Sequence, residues 1–545
     1  MMRLSLGEAL VDGLGAMQDW PLRVSRLINH AEREHGSAEI VSRWSDGHVT
    51  RTDWSGIAGT ARRVARALNR LGIQSSDRVG TLAMNHAHHL ACWYGVPGMG
   101  GILHTLNPRL VDDQLIFIGN DAEDRVLLYD RQFAPLVERL KPDWPTIEHY
   151  ICFDDEFAHW TASESDDFEW VTGDERELCN LSYTSGTTGK PKGVAYEHRS
   201  NVLHAMTQAA PDMFALSARS AVFPIVPLFH ANGWALPWSA ALVGCKLVFA
   251  ASYEPDEVCE SFRAEGVTHS AGVPTVWLGM IEHVERTGAA FGPLERILVG
   301  GSAAPRATIR WFKDRGVHVV HAWGMTETSP IGTMCTPRRG FEQLDEDAQL
   351  DFLSRQGRVP FGVELRIVDD DGGVLPRDGQ TSGRLQVRGD WIVKRYFNAA
   401  EDSADDEQWF DTGDVGIIHP DGTLQITDRA KDVIKSGGEW ISSIELENAA
   451  VGCPGVAEAA AIGIPHPKWD ERPLLLVVRS TGSGVCESDI RTHLADRIAK
   501  WWLPDAIEFV EALPHTATGK LSKKDLRDEY RDYRFAGAEA MVGRD

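Results

Sequence analysis

Cysteine is scarce in this chain, with eight in 545 residues, no C-x-x-C pair and no Cys/His cluster at metal-ligand spacing. That scarcity excludes a disulfide framework and a structural zinc site, and it leads us to expect reduced thiols and a cytoplasmic location. Long apolar runs are also missing. None reaches the roughly 18 residues of a membrane span. The nearest, "ALPWSAALVGCKLVFAAS", is broken by Lys246 and reads as a buried helix followed by a strand. The opening "MMRLSLGEALVDGLGAMQDW" has no continuous apolar core of a signal peptide, so no integral membrane association is expected. Positive charge is in deficit, 55 basic against 79 acidic residues for a net charge of -24, which opposes binding to nucleic acid or an anionic membrane. A polyanionic substrate would therefore need a local cluster of donors.

What is present is the composition of an ordinary folded protein, 43% hydrophobic and 25% charged, with no low-complexity segment or fixed-period repeat. The length implies about three or four folding units. Near the N-terminus, Thr52 is placed to cap a helix whose apolar positions Ile57, Ala61, Val64, Leu68 and Leu71 form one face ending at Gly72. Short β-rich runs at 125–129 and 150–155 alternate with helical stretches, the pattern of a largely parallel α/β sheet. "LERILVGGSAAP" (294–305) and "VHVVHAWGMTETSP" (317–330) each read as a strand opening into a polar loop, and ligands of open α/β sheets bind at such strand ends.

After about residue 360, Asp-Gly turns between short apolar runs predict an all-β unit. Beyond a boundary near 428–431 the pattern predicts a small α+β tail. It has strands at 456–464, 472–479 and 506–511, and a helix presenting Ile490, Leu494, Ile498 and Trp502. The expected fold is thus α/β: a large N-terminal domain (1–428) of two α/β units and a β-rich unit, a hinge (429–431), and a small mobile α+β domain (432–545).

The stretch "YTSGTTGKPKGV" (183–194) carries the chemistry most openly. A Walker loop would place Ser or Thr after the glycine-lysine pair and start a helix there. Here Pro191 stands in that place and removes a backbone donor. The hydroxyls of Thr184, Ser185, Thr187 and Thr188, with Gly186 and the cations Lys190 and Lys192, instead make a hairpin-like clamp for a polyphosphate.

This loop resembles the signature loop of the AMP-forming adenylate enzymes, the superfamily of acyl-CoA synthetases, adenylation domains and beetle luciferases. Further segments match in the family's order: "PLFHANGW" (227–234), "VGGSAAP" (299–305), "HAWGMTETSP" (321–330), "WFDTGDVG" (409–416), "DRAKDVIKSGGEWISS" (428–443) and "LPHTATGKLSKKDLR" (513–527). The resemblance implies an acid-thiol ligase using ATP, Mg²⁺ and coenzyme A. In its first half-reaction a carboxylate attacks the α-phosphate; in its second, the thiol of coenzyme A displaces AMP. "ILHTLNPRL" (102–110) resembles the fatty-acyl and medium-chain branch, so the implied substrate is a small or medium carboxylic acid, 3-methylmercaptopropionate or a medium-chain fatty acid.

By the same resemblance, Thr184 to Thr188 and Lys192 would hold the β- and γ-phosphates, and Glu327, with Thr184, would hold Mg²⁺. In isolation Glu327 reads equally as a helix-capping residue. Lys520 would bridge the attacking carboxylate and the α-phosphate, with Lys523 second choice and a solvated basic tail the plainer alternative. Asp414 and Arg429 would contact the ribose. Adenine would stack on Trp323, which stands where the family more often has Tyr, beside Gly324, Met325, Thr326, Ser302 and Ala303.

His230, Trp234, Gly300 and Gly301 would line the acyl channel, with Trp391 a weaker candidate; both His230 and Trp234 also read as ordinary core. Lys431 would be the hinge residue, and Lys435, Gly437, Gly438 and Trp440 would receive the pantetheine arm, although Gly-Gly is also a plain turn signal. An adenylation enzyme loading a carrier-protein thiol is the alternative; no carrier segment is expected after residue 545, so coenzyme A is the expected acceptor. A phosphotransferase would release ADP rather than AMP, and an idle scaffold would lack Lys520 or Glu327. A homodimer stays open as the assembly.

Overall fold

Alternation of β-rich runs with amphipathic helices builds two parallel sheets whose strand ends carry the loops singled out above. The computed structural model describes residues 17–184, 190–436, 439–495, 497–516 and 520–535. One sheet runs in the order His149–Cys152, Asp124–Tyr129, Arg78–Leu82, Ile102–Thr105, Leu178–Tyr183 and Gly193–Glu197, parallel except for its last pair. The second runs from Ile331–Cys335 through His318–Gly324, Arg296–Val299, His269–Gly272, Ala221–Pro224 and Lys246–Ala250 to Glu39–Arg43 and Val49–Asp53, with antiparallel pairs only at its two ends.

The helix Trp54–Arg70 shows how sequence sets one of these packings. Ile57, Ala61, Val64 and Leu68 are fully or almost fully buried in the core between the sheets, as their spacing requires. Its cap is Asp53, whose carboxylate accepts from the backbone of Gly56, and not Thr52. The reason is the preceding strand: it runs on through Asp53, which pairs with Glu39, so the helix begins only at Trp54. "ALPWSAALVGCKLVFAAS" folds as expected into the buried helix Leu236–Val243 and the strand Lys246–Ala250.

The Asp-Gly turns close a four-stranded antiparallel sheet of Val363–Val368, Ser382–Gly389, Phe410–Ile418 and Leu424–Arg429. Beyond it lies a small α+β domain. In its sheet Asp470–Arg479 pairs with Val456–His466 and, in parallel, with Ala506–Val510. The helix there is shorter than its apolar spacing suggests. It spans Glu487–Ala495; Ala499 is extended, and Lys500–Trp502 makes a single 3-10 turn ahead of Pro504. Ile498 and Trp502 nevertheless pack on the same core as Ile490 and Leu494. The protein is thus a mixed α/β chain with a large N-terminal domain of several sheets and a small C-terminal domain. No helix among the described residues is long and apolar enough to cross a membrane.

Candidate functional site

Strand ends from both large sheets converge on a cavity of about 540 Å³, and the small domain closes it from the far side. The hairpin of Leu178–Tyr183 and Gly193–Glu197 contributes Thr184 and Lys192. The backbone N–H of Thr184 donates to the Lys192 carbonyl at 2.9 Å, and the Lys192 N–H donates to Thr184 Oγ1 at 3.1 Å. The clamp reading of this loop is therefore a paired hairpin at its base; Ser185, Gly186, Thr187 and Thr188 lie outside the described residues.

Glu327 follows the strand His318–Gly324 and sits in a one-turn 3-10 helix, Thr326–Thr328, with only 6% of its surface exposed. Its Oε1 accepts a 2.7 Å hydrogen bond from the Tyr396 hydroxyl, and the Lys192 ammonium lies 4.7 Å from the Tyr396 ring centroid. Tyr396 thus joins the Thr184–Lys192 hairpin to the buried carboxylate, a link that no local spacing in "VKRYF" discloses. Burial and the neighbouring Glu327 charge hold its phenol proton well above the ordinary range.

Lys520 enters the same cavity from the small domain. Gly301 has φ +89°, and a Cβ built on it would stand 3.2 Å from Lys520 Cε, so the glycine leaves the lysine its room. Burial, followed by the Arg429 charge, lowers its pKa to about 8, opposed by Asp414 and Glu327. Lys190, Lys192, Arg429, Lys431 and Lys520 all face this cavity, a cationic cluster within an acidic protein. Lys523 does not line this cavity and borders only the smaller one beside it: its ammonium is 2.8 Å from Glu447 Oε1 and also donates to Ser443 Oγ. Burial raises the Glu447 carboxyl above its usual range, against the pull of Lys523.

A second cavity of about 240 Å³ adjoins the first, sharing Gly301, Ala322, Trp323, Gly324, Arg429 and Lys520 with it and adding Ser302, Ala303 and Asp414. Here Trp323 Nε1 donates to Asp414 Oδ2 at 2.8 Å, while Arg429 Nε lies 3.6 Å from Asp414 Oδ1. Met325 lines both cavities, and Thr326 the larger one.

On the apolar side, a Cβ on Gly300 would come within 3.2 Å of Trp234 Cη2, so the indole lies directly across that glycine. His230 lines the same wall, and burial together with the Lys520 and Arg109 charges depresses its pKa to about 3, leaving a neutral imidazole. Trp391 is not part of this wall. It is buried one layer behind, donating from Nε1 to the carbonyl of Ile331, because Gly362 leaves room for the ring in the β-unit core and the His204 ring packs edge-on against it.

Lys431 lines the larger cavity, but Lys435, four residues on, is exposed and does not, its N–H being bound to Glu471 Oε2. Gly437 and Gly438 lie outside the described residues, and the backbone of Trp440 pairs with Lys435 in the small domain's sheet. In this orientation the tail therefore offers Lys520 to the cavity and keeps Lys435 outside it. The orientation is held by a cross-domain contact that sequence spacing does not reveal: Asp428 Oδ2 accepts from the Ser443 N–H at 2.7 Å and from its hydroxyl at 2.6 Å.

The chain is similar to known proteins over nearly its whole length. Residues 28–397 match the model of the AMP-binding enzyme family, and 445–520 match the AMP-binding enzyme C-terminal domain. The chain is 46% identical over 534 residues to 3-methylmercaptopropionyl-CoA ligase of Ruegeria lacuscaerulensis, covering 95% of this chain and 99% of that one. It is 44% identical over 538 residues to medium-chain-fatty-acid--CoA ligase of Ectopseudomonas oleovorans, covering 95% and 98%. The fold matches the crystal structure of anthranilate CoA ligase AuaEII in complex with anthranoyl-AMP. The TM-score is 0.85 at 24% identity, over 94% of this chain and 98% of that one.

Proposed function

This chain belongs to the AMP-binding enzyme family, and we propose that, like the CoA ligases it matches, it is an ATP-dependent acyl-CoA synthetase whose acid is 3-methylmercaptopropionate or a medium-chain fatty acid. The observation that carries the reading is the meeting of Lys520, from the small domain, with Thr184, Lys192 and Glu327 in one cavity. A carboxylate oxygen attacking the α-phosphate forms a new P–O bond and expels pyrophosphate, so negative charge builds where these cations converge. Lys520, a mobile point charge, reaches both the attacking carboxylate and the α-phosphate. Thr184 and Lys192 grip the β- and γ-phosphates, and Asp414 receives the ribose hydroxyls with Arg429 beside it.

Glu327 and Thr184 fit Mg²⁺. They are oxygen donors, and no group of three or more His, Cys, Asp or Glu side chains among the described residues forms a protein cage for a metal. One carboxylate, one hydroxyl and substrate phosphates suit a hard, well-hydrated cation. When bound, that ion neutralises phosphate charge. Tyr396 fixes the orientation of the Glu327 carboxylate beforehand.

In the second half-reaction the thiol of coenzyme A attacks the acyl carbonyl and AMP leaves. Lys520 and Lys435 belong to one small domain, so in this step that domain would turn about Lys431 and bring Lys435 and Trp440 to the cavity. The eight unpaired cysteines support a reducing, cytoplasmic setting.

The test is a panel of carboxylic acids incubated with ATP, Mg²⁺ and coenzyme A. Acid-dependent AMP and pyrophosphate with a thioester product are expected; ADP would overturn the reading. Omitting coenzyme A separates thioester formation on coenzyme A from transfer to a carrier-protein thiol.

A further inference from the structure

The segment that carries Trp234 is strained. Ala231, Gly233, Trp234 and Ala235 all have positive φ, at 39°, 57°, 49° and 55°, and three of the four carry a Cβ. Non-glycine residues persist in that region only where the surroundings over-determine them. Buried side chains supply the constraint on both flanks. Asn85 holds the Pro224 and Val226 carbonyls and the Leu228 N–H upstream, and the Tyr94 hydroxyl donates to the Pro237 carbonyl downstream.

At the strained turn itself the constraint is Gln208, on the helix His198–Ala209. It is fully buried and lines the larger cavity. Its Nε2 donates to the Trp234 carbonyl at 2.8 Å, and its Oε1 accepts from the Ser239 hydroxyl at 2.7 Å. Ser239 Oγ also lies 3.0 Å from the Ala235 carbonyl, but its single proton serves the shorter bond to Gln208, so the direct hold on the strained turn is the Gln208 bond to Trp234. The indole so placed lies across Gly300, in a cavity that the apolar side chains of Leu298, Ile331 and Met334 also line.

We propose that Gln208, braced by Ser239, is a positioning residue for acid selection: it fixes the Trp234 backbone, so the indole limits the length of acyl chain admitted past Gly300. The inference rests on the acid-ligase reading above. A fully buried amide with both ends engaged is costly to leave half-satisfied, so its loss is expected to release the turn rather than leave it in place.

Three variants test it. Gln208→Met keeps the volume but can neither donate to Trp234 nor accept from Ser239. Ser239→Ala removes the brace with a smaller change and carries the test if the methionine variant folds poorly. In each, pyrophosphate release is measured with straight-chain acids from propionate to decanoate, alongside the KM for ATP. The expected result is a preference moved toward longer acids, with the KM of the shortest accepted acid raised about fivefold, the effect of one lost hydrogen bond, and the KM for ATP unchanged.

Gln208→Glu adds a readout that a purely structural role would not move. A protonated carboxyl can donate to the Trp234 carbonyl, whereas a carboxylate cannot, and burial raises a carboxyl pKa. Its chain-length profile is expected to match that of the unaltered enzyme at about pH 6 and the methionine variant's at about pH 8, while the unaltered enzyme keeps one profile at both. Active Gln208→Met and Ser239→Ala variants with the original profile and acid KM would overturn the proposal. Failure of the unaltered enzyme to form AMP with any acid would remove the ligase reading itself.

Discussion

The indole N–H of Trp323 donates a 2.8 Å hydrogen bond to Oδ2 of Asp414, a residue 91 positions away on the β-rich unit. The aromatic expected to face adenine is thus tied to the carboxylate expected to face ribose. A tyrosine at this position would place its hydroxyl at the ring's far end, whereas the indole brings its donor on the side of the ring. Gly332 makes the arrangement possible, since a Cβ there would come within 2.2 Å of the indole.

Replacing Trp323 by Phe keeps a flat ring but frees the Asp414 carboxylate to turn. A hydrogen bond to a charged group of this kind is worth enough that the KM for ATP should rise about tenfold. The acid KM should stay nearly constant. Steady-state pyrophosphate release with each substrate varied in turn checks this, and a rise in both constants would place the indole's role elsewhere.

Lys520→Ala should reduce acyl-adenylate formation by at least about a hundredfold, the usual effect of losing one preorganised donor to a developing anion. Circular dichroism should be unchanged. The same residue sets a pH limb. Its ammonium is the active form and its pKa is depressed to about 8, first by burial. In the free enzyme kcat/KM for ATP should therefore be full below that pH and fall as pH rises through it. A flat profile to pH 10 would separate the limb from Lys520.

Lys523 is expected to behave differently despite lying three residues away. Its partner Glu447 is nearly buried, so Lys523→Met strands a carboxylate and should cost about 3 kcal/mol of stability in denaturant unfolding. Pairing it with Glu447→Leu should recover much of that loss. Pyrophosphate release per folded molecule should change little, and a loss as large as that of Lys520→Ala would contradict the division of roles.

Lys431→Pro should stiffen the connection between the domains. With Lys520 already in the cavity, adenylation should be mildly affected, whereas thioester formation should fall several-fold more. Rapid-quench measurement of acyl-adenylate and acyl-coenzyme A separates the two steps; equal losses would count against a turning tail.

Much of this arrangement is legible in the sequence because the chemistry sits on local loops with fixed spacing. Thr184, Glu327 and Lys520 are each found within a short motif, and each reaches the cavity. Residues that act across the fold leave no such mark. Gln208 lies on an ordinary helix 26 residues before Trp234, Tyr396 belongs to an irregular segment between two strands, and the Asp428–Ser443 contact depends on how two domains meet. Trp391 fails for the opposite reason: it stands near a glycine turn in sequence, yet the ring faces inward to Ile331. The boundary errors at Thr52 and beyond Ala495 have the same origin, since sheet pairing through Asp53 and the extended Ala499 outweigh local helical preference.

The cationic cluster around Lys520 has a consequence for how ATP arrives. A chain of net charge -24 repels a tetraanion at long range and attracts it only within reach of Lys190, Lys192, Arg429 and Lys431. At physiological ionic strength the Debye length is about 8 Å, so dissolved salt weakens the distant repulsion more than the enclosed grip. Moderate sodium chloride should therefore quicken nucleotide capture, the reverse of the behaviour of an enzyme that draws its substrate in from afar.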